Sequence, residues 1–188
     1  MTARVVLVRH GETEWSRDGR HTGRTDLDLT ARGERDARAV GDTLAGWAFG
    51  AMYASPLRRA VATARLAGFA CELDDDLREW DYGDIEGRRH EEILAEWPGW
   101  SKWNDGVPGG ETADEVGARA DRFLDRLADN EANVVVFAHG HLLAVMIARW
   151  LGLDADQGRR FPLATGSISV LGVKRAERVL ESLNVTSL

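Results

Sequence analysis

Arg4-Val5-Val6-Leu7-Val8-Arg9-His10-Gly11 and Asn133-Val134-Val135-Val136-Phe137-Ala138-His139-Gly140-His141 share one plan, and that plan decides the fold. Each is a short, β-branched apolar run that stops abruptly at a histidine followed by glycine. Such a run reads as a buried strand entering a loop. Gly50-Ala51-Met52-Tyr53-Ala54-Ser55 is a third, and it ends at Ser55-Pro56-Leu57-Arg58-Arg59. Continuous hydrophobicity, in place of strict alternation, means burial on both faces, as in a parallel sheet covered by helices.

Helical spacing fills the intervals. Thr30 is placed as the N-cap of a helix presenting Ala37, Val40, Leu44 and Trp47 on one side. Ser55-Pro56 is read as opening a helix through Leu66, with the proline in the first turn. Thr112-Ala-Asp-Glu115 has the form of a capping box, and Val116, Ala120, Phe123, Leu124 and Leu127 then make one apolar face. A helix from Leu142 to Leu151 follows the last histidine. Short extended segments are expected around Cys71 to Leu73, and the alternating runs Ser167 to Val173 and Arg178 to Val185 as a late hairpin.

The expected class is therefore α/β, a three-layer α/β/α sandwich on a mostly parallel central sheet. Residues 80–112, with a helix over Glu91 to Trp97, read as a small helical insertion covering the site, inside one domain spanning 1–188. At least two of Trp80, Trp97, Trp100 and Trp103 are expected to form its core, because a small lid needs large side chains to bury.

Bulk properties narrow the classes of function. The 188 residues suit one domain with a real core. A formal net charge of −7 argues against a general nucleic-acid or anionic-membrane surface, so neither partner is expected. No apolar run is long enough to span a bilayer, and Met1-Thr2-Ala3-Arg4 shows no export leader. The single cysteine, Cys71, excludes an intrachain disulfide and suits a reducing cytoplasm, the expected location. An acidic chain can still bind a small phosphorylated metabolite where Arg and His gather locally. Oligomeric state stays open, a homodimer included.

If the three strands are parallel neighbours, their carboxyl ends share one crevice. His10, His139, Arg9 and the Arg58-Arg59 pair would meet there, with Glu79 fed in from Leu77-Arg-Glu-Trp-Asp-Tyr-Gly83. This residue set suits a phosphate monoester. Guanidinium forks match phosphate oxygens, a neutral imidazole can attack phosphorus, and a carboxyl group can protonate the leaving oxygen. Taken singly, each group has a plainer reading: a strand-end histidine as a satisfied polar group, Arg58 as a solvated helix residue, and Asp81, Asp84 and Glu86 as competitors of Glu79. His139 and His141 could alternatively ligate a metal, but the chain lacks the Asp/His clusters of two-metal phosphoesterases, so neither metal nor cofactor is expected. His21 and His90 are read as surface residues, with His21 near enough to Thr22 to reach a ligand.

Leu-Val-Arg9-His10-Gly-Glu-Thr-Glu-Trp15, Thr22-Gly-Arg-Thr-Asp-Leu-Asp-Leu-Thr30, Ser55-Pro-Leu-Arg-Arg59-Ala-Val-Ala-Thr63 and Phe-Ala-His139-Gly-His resemble, in order, the histidine phosphatase superfamily, the phosphoglycerate-mutase-like proteins. The Glu79 segment, Trp103-Asn-Asp-Gly and Gly109-Gly-Glu-Thr112 look most like its short phosphatase branch, which includes sedoheptulose-bisphosphatase-like proteins and bacterial acid phosphatases. The resemblance implies a metal-free enzyme whose His10 is phosphorylated, with Arg9, Arg59 and His139 holding phosphoryl oxygens and Glu79 as general acid/base. It implies that Thr22 and Gly23 line the substrate phosphate, and it counts Gly140 among the substrate-binding positions. Ser16 departs from the family's usual Asn, although its hydroxyl can still donate to phosphate. His141 stands where true mutases carry Asn, which favours hydrolysis over the alternative, mutase-type phosphoryl transfer. A catalytically silent phosphate-binding protein is the remaining reading.

Overall fold

In the computed structural model, residues 3–128 and 130–186 are described. Met1 and Thr2, on which the export reading partly rests, lie outside them. In chain order the elements are β1 (Val5–Arg9), α1 (Glu14–Arg17), α2 (Ala31–Leu44), β2 (Ala51–Ala54), α3 (Arg58–Leu66), β3 (Glu72–Leu73) and α4 (His90–Glu96). They continue with α5 (Lys102–Asp105), α6 (Ala113–Arg126), β4 (Val134–Ala138), α7 (Gly140–Trp150), β5 (Ile168–Lys174) and β6 (Glu177–Val185). The sheet order is β3-β2-β4-β1-β5-β6, so β4 lies between the other two strands that end in functional motifs. The first four strands in that order run parallel; β5 pairs antiparallel with both β1 and β6.

The period of two along each buried strand builds the three layers. Val5 and Leu7 of β1, with Val134 and Val136 of β4, belong to the core cluster that holds Phe123 of α6 and Leu143 of α7. Val6, Val8, Val135 and Phe137 face the opposite way, into a second core with Val40 and Leu44 of α2 and Ala64 of α3. Residues 80–112 share the first core through Trp80, Tyr82, Ile85, Ile93 and Val107. Trp80 is fully buried, and Trp97, Trp100 and Trp103 pack partly buried against that core. This is the expected α/β/α sandwich with its helical insertion. Among the described residues, no helix is long and apolar enough to cross a membrane.

Helix boundaries differ from expectation at four helices: α4 runs His90–Glu96 instead of Glu91 to Trp97, α7 runs Gly140–Trp150 instead of Leu142 to Leu151, and the second and third helices differ as follows. The second helix ends at Leu44, and Trp47 lies beyond it, stacked on Phe49 at 5.8 Å; Gly46 follows the C-cap and costs the helix its continuation. The third starts at Arg58, not at Pro56, because Leu57 is extended (φ −69°, ψ 134°). Its first turn finds a distant cap: Arg58 N–H donates to Asp26 Oδ1 at 2.8 Å. The late start places Arg59 in that first turn, above the sheet edge. By contrast, Thr112 caps α6 with a complete capping box through Glu115, as its sequence pattern indicates.

One close approach fixes the loop after β1. A Cβ on Gly11 would meet the Gly33 carbonyl oxygen at 2.3 Å, and one on Gly33 would meet the Glu12 carbonyl oxygen at 2.2 Å. Helix propensity alone would reward Gly33→Ala by about 1 kcal/mol. The backbone contact reverses the sign: the substitution is expected to destabilise the protein by about 1–3 kcal/mol. Urea unfolding measures it, and an unchanged or raised midpoint would show that the loop yields.

Candidate active site

The parallel sheet delivers its strand ends to one edge. His10 N–H donates to the Ala138 carbonyl (3.0 Å) and Ser55 N–H to the Phe137 carbonyl (2.9 Å), so the three termini lock together through β4. Above them lies a cavity lined by Arg9, His10, Ser16, Arg20, Thr22, Glu79, Tyr82 and His141, together with Gly19 and His21. His10 is 4% exposed.

The tautomer of His10 follows from its partner. Its Nδ1 lies 2.7 Å from the Gly11 carbonyl oxygen, which can only accept, so Nδ1 carries the proton. Burial, then the neighbouring Arg59 and Arg9 guanidinium groups, hold its pKa well below 6.5, and the ring is neutral. Nε2 is left as a lone pair with no protein partner among the described residues. Gly11 is itself anchored, its N–H donating to Thr63 Oγ1 at 3.0 Å.

Beneath His10 sit His139 and Arg59, both fully buried; the two imidazoles are 5.2 Å apart, centre to centre. Arg59 Nε donates to His139 Nδ1 at 3.1 Å, which assigns the His139 proton to Nε2, donating to Ser55 Oγ at 2.7 Å. The other Arg59 nitrogens donate to the carbonyls of Thr25, Thr22 and Gly23 at 2.8–3.1 Å. Arg59 therefore ties the 22–25 loop to the sheet edge. Arg58 turns outward to Asp26 and Asp28, as neighbouring helical positions must.

Glu79 is singled out from its acidic neighbours. Its carboxylate accepts from Leu142 N (2.9 Å) and His141 N (3.1 Å) in the first turn of α7, and from Trp80 N (2.9 Å). The positive end of that helix is a natural carboxylate seat. Asp81 pairs with Arg24, and Glu86 accepts the N–H groups of Gly23 and Thr25. Arg9 reaches the Leu163 carbonyl through Nη1, and its buried Nε has no partner. Gly140 makes room for it: a Cβ there would meet the guanidinium carbon at 3.1 Å.

Several expected contacts look different in place. The Ser16 hydroxyl lines the cavity but is occupied by the capping box of α1, accepting from Thr13 N at 2.8 Å and donating to the Thr13 carbonyl at 3.0 Å. Thr22 turns its hydroxyl to the Arg20 carbonyl, and the Gly23 amide is taken by Glu86. His21 is buried, not a surface residue: Nδ1 contacts the Arg88 carbonyl (3.0 Å), and its ring meets Tyr82 edge-on. Burial and Lys102 lower its pKa to about 4. His90 is exposed, as read. His139 and His141 do not converge: His141 Nδ1 takes the Tyr82 hydroxyl, and no metal-holding group of three His, Cys, Asp or Glu occurs among the described residues. Arg20, Tyr82 and Lys102 are site neighbours that sequence reading did not single out. The contact of Lys102 with His21 crosses 81 positions, a separation that local pattern does not carry.

A parallel-sheet edge bearing an unprotonated imidazole nitrogen, two arginines and a carboxylate defines a site for phosphate-ester chemistry. Comparison with known proteins gives the family: residues 5–186 match the histidine phosphatase superfamily (branch 1), and the chain belongs to it. It is thereby an enzyme of the phosphoric monoester hydrolase class. Among its relatives, an acid phosphatase of Mycobacterium tuberculosis is 37% identical, over 97% of this chain and 93% of that one. The sedoheptulose 1,7-bisphosphatase of Saccharomyces cerevisiae is 36% identical over 84% and 70%. The solved structure of an M. tuberculosis open reading frame superimposes with a TM-score of 0.95 at 36% identity, over 99% of each chain.

Four histidines, three of them buried and His141 half-buried, give a signed pH dependence. His10, His21, His139 and His141 all have pKa values lowered, first by burial, so the unfolded chain binds more protons as pH falls through 6.5. Stability must therefore fall with pH in the window from 6.5 down to about 4, by about 1.4 kcal/mol per unit for each histidine. Asp76, Glu92 and Glu115, whose pKa values are lowered from 3.8 and 4.5, act only below that window's upper part. Urea titrations at pH 7 and pH 5.5 should differ by several kcal/mol. Equal midpoints would mean that these rings are charged or solvated.

Proposed function

We propose that the chain hydrolyses a small phosphorylated metabolite through a phosphohistidine on Nε2 of His10. The observation that carries this reading is the His10 tautomer: the Gly11 carbonyl holds the proton on Nδ1 and leaves the Nε2 lone pair facing the cavity.

In the first step the Nε2 lone pair attacks phosphorus, the ester P–O bond breaks, and Glu79 supplies the proton that the leaving oxygen needs. In the second, Glu79 takes a proton from water as its oxygen attacks, and the P–N bond breaks to give phosphate. Attack itself removes the imidazole lone pair and makes the ring cationic, and the Gly11 carbonyl stabilises that form through the Nδ1–H bond. Arg9, lining the cavity, compensates the equatorial oxygens. Arg59 adds positive potential from below and, held by the neutral His139, keeps the 22–25 loop in place, with Thr22 and Gly23 shaping the rim and Gly140 admitting Arg9. Ser16 contributes by holding α1 together. Residues 80–112 act as the cap of a single domain, and the chemistry uses neither metal nor cofactor.

Hydrolysis of p-nitrophenyl phosphate and of glycerol 3-phosphate in the presence of chelator provides the test. His10→Ala should abolish turnover and the labelling by radioactive substrate that an alkaline denaturing quench preserves in the wild type. Glu79→Gln should lower kcat/KM, which reports only the first step, by about 10²–10⁴-fold on the alkyl ester and far less on the nitrophenyl ester, whose leaving group needs no proton. Labelling of His10→Ala at the wild-type level would remove the nucleophile assignment. An equal loss on both esters would remove the acid.

A further inference from the structure

Resting on that reading, we infer that a second cavity beside the catalytic one receives the alcohol part of the substrate, and that this part carries a ring-sized apolar group. The two cavities have Arg9 and His141 in common. The catalytic cavity measures about 190 Å³ and its neighbour about 250 Å³. Sites for small organic molecules usually begin at about 300 Å³, so neither cavity alone reaches that size and the two together do.

The lining decides what the second cavity takes. Trp103, Ala144, Phe161, Pro162 and Leu163 contribute apolar side chains to it. Its charged side chains are already committed: Arg159 pairs with Asp156 at 3.0 Å and donates to Asn104 at 2.9 Å, and Arg9 serves the phosphoryl group. A further anion would find no free counter-charge there, whereas apolar surface would gain by leaving water.

The wall stands ready before a ligand arrives. The Trp103 ring meets Trp80 edge-on at 5.2 Å, centre to centre, and His141 at 5.6 Å. His141 is held in turn by the Tyr82 hydroxyl. Gly158 lets its segment pack this close, since a Cβ on it would meet Trp103 at 2.9 Å. Such a preformed surface costs little ordering on binding.

The chemistry runs the same way. Glu79 accepts from the His141 amide at 3.1 Å, so the ester oxygen that it protonates departs beside the residue shared by both cavities. The group attached to that oxygen then enters the second cavity, while phosphorus stays over His10 in the first.

The test compares 3-phenylpropyl phosphate with propyl phosphate. Their alcohols are of nearly equal acidity, so the ratio of kcat/KM values reports binding of the ring and not leaving-group chemistry. In the wild type the ratio should be at least tenfold in favour of the phenyl ester. Ala144→Leu, which fills the second cavity, should bring the ratio to within about twofold of unity and leave propyl phosphate hydrolysis unchanged. Phe161→Ala should cut the ratio at least threefold, and it stands in if Ala144→Leu does not fold. A wild-type ratio near unity, or a ratio retained in the folded variant, would overturn the assignment. The wild-type arm needs no variant to fold. A ratio near unity with intact, His10-dependent hydrolysis of both esters would leave the phosphatase reading standing; absence of hydrolysis of these esters and of p-nitrophenyl phosphate would remove the reading itself.

Discussion

The hydrogen bond from His10 Nδ1 to the Gly11 carbonyl, 2.7 Å long and shielded from water, is the constraint on which the site depends. It involves adjacent residues, so it exists only if the chain turns sharply straight after β1. The turn in turn needs Gly11 and Gly33 in backbone contact and Thr63 holding the Gly11 amide. A ring buried between Arg9 and Arg59 does not readily take a second proton. The same positive surroundings that keep His10 neutral suit the charge brought by a phosphoryl group. One arrangement serves both purposes.

The sheet topology makes this arrangement economical. With β4 between β1 and β2, the ends bearing His10, His139 and Ser55 are adjacent, and main-chain hydrogen bonds fix their heights. Helix α7 then starts at the same edge and offers its first amides to Glu79. The carboxylate is placed by backbone, not by a long side-chain network. Arg59 and His139 satisfy each other underneath, which lets two polar groups be fully buried without orphaned atoms.

Much of this was legible in the sequence. Apolar runs ending in Arg9-His10-Gly11 and His139-Gly140-His141 revealed the parallel strands, and the Thr30 and Thr112 caps lie where the pattern put them. Glu79 could be named only by its motif; its anchoring on α7 shows why it differs from Asp81 and Glu86. What stayed hidden depends on contacts far apart in the chain. Asp26 capping α3 moved that helix start past Pro56, and the capping box that occupies Ser16 is visible only once Thr13 is seen in place. His21 read as a surface residue because nothing local announces that Tyr82 and Lys102, 61 and 81 positions later, will cover it.

The position of phosphorus on the trapped enzyme tests the account most directly. After rapid acid-free quenching of a turnover mixture, phosphorus NMR of the denatured protein, with fragmentation by mass spectrometry, distinguishes the two ring nitrogens of His10. The structure predicts phosphorus on Nε2, since Nδ1 is held by the Gly11 carbonyl. Phosphorus on Nδ1, or on any residue other than His10, would contradict it.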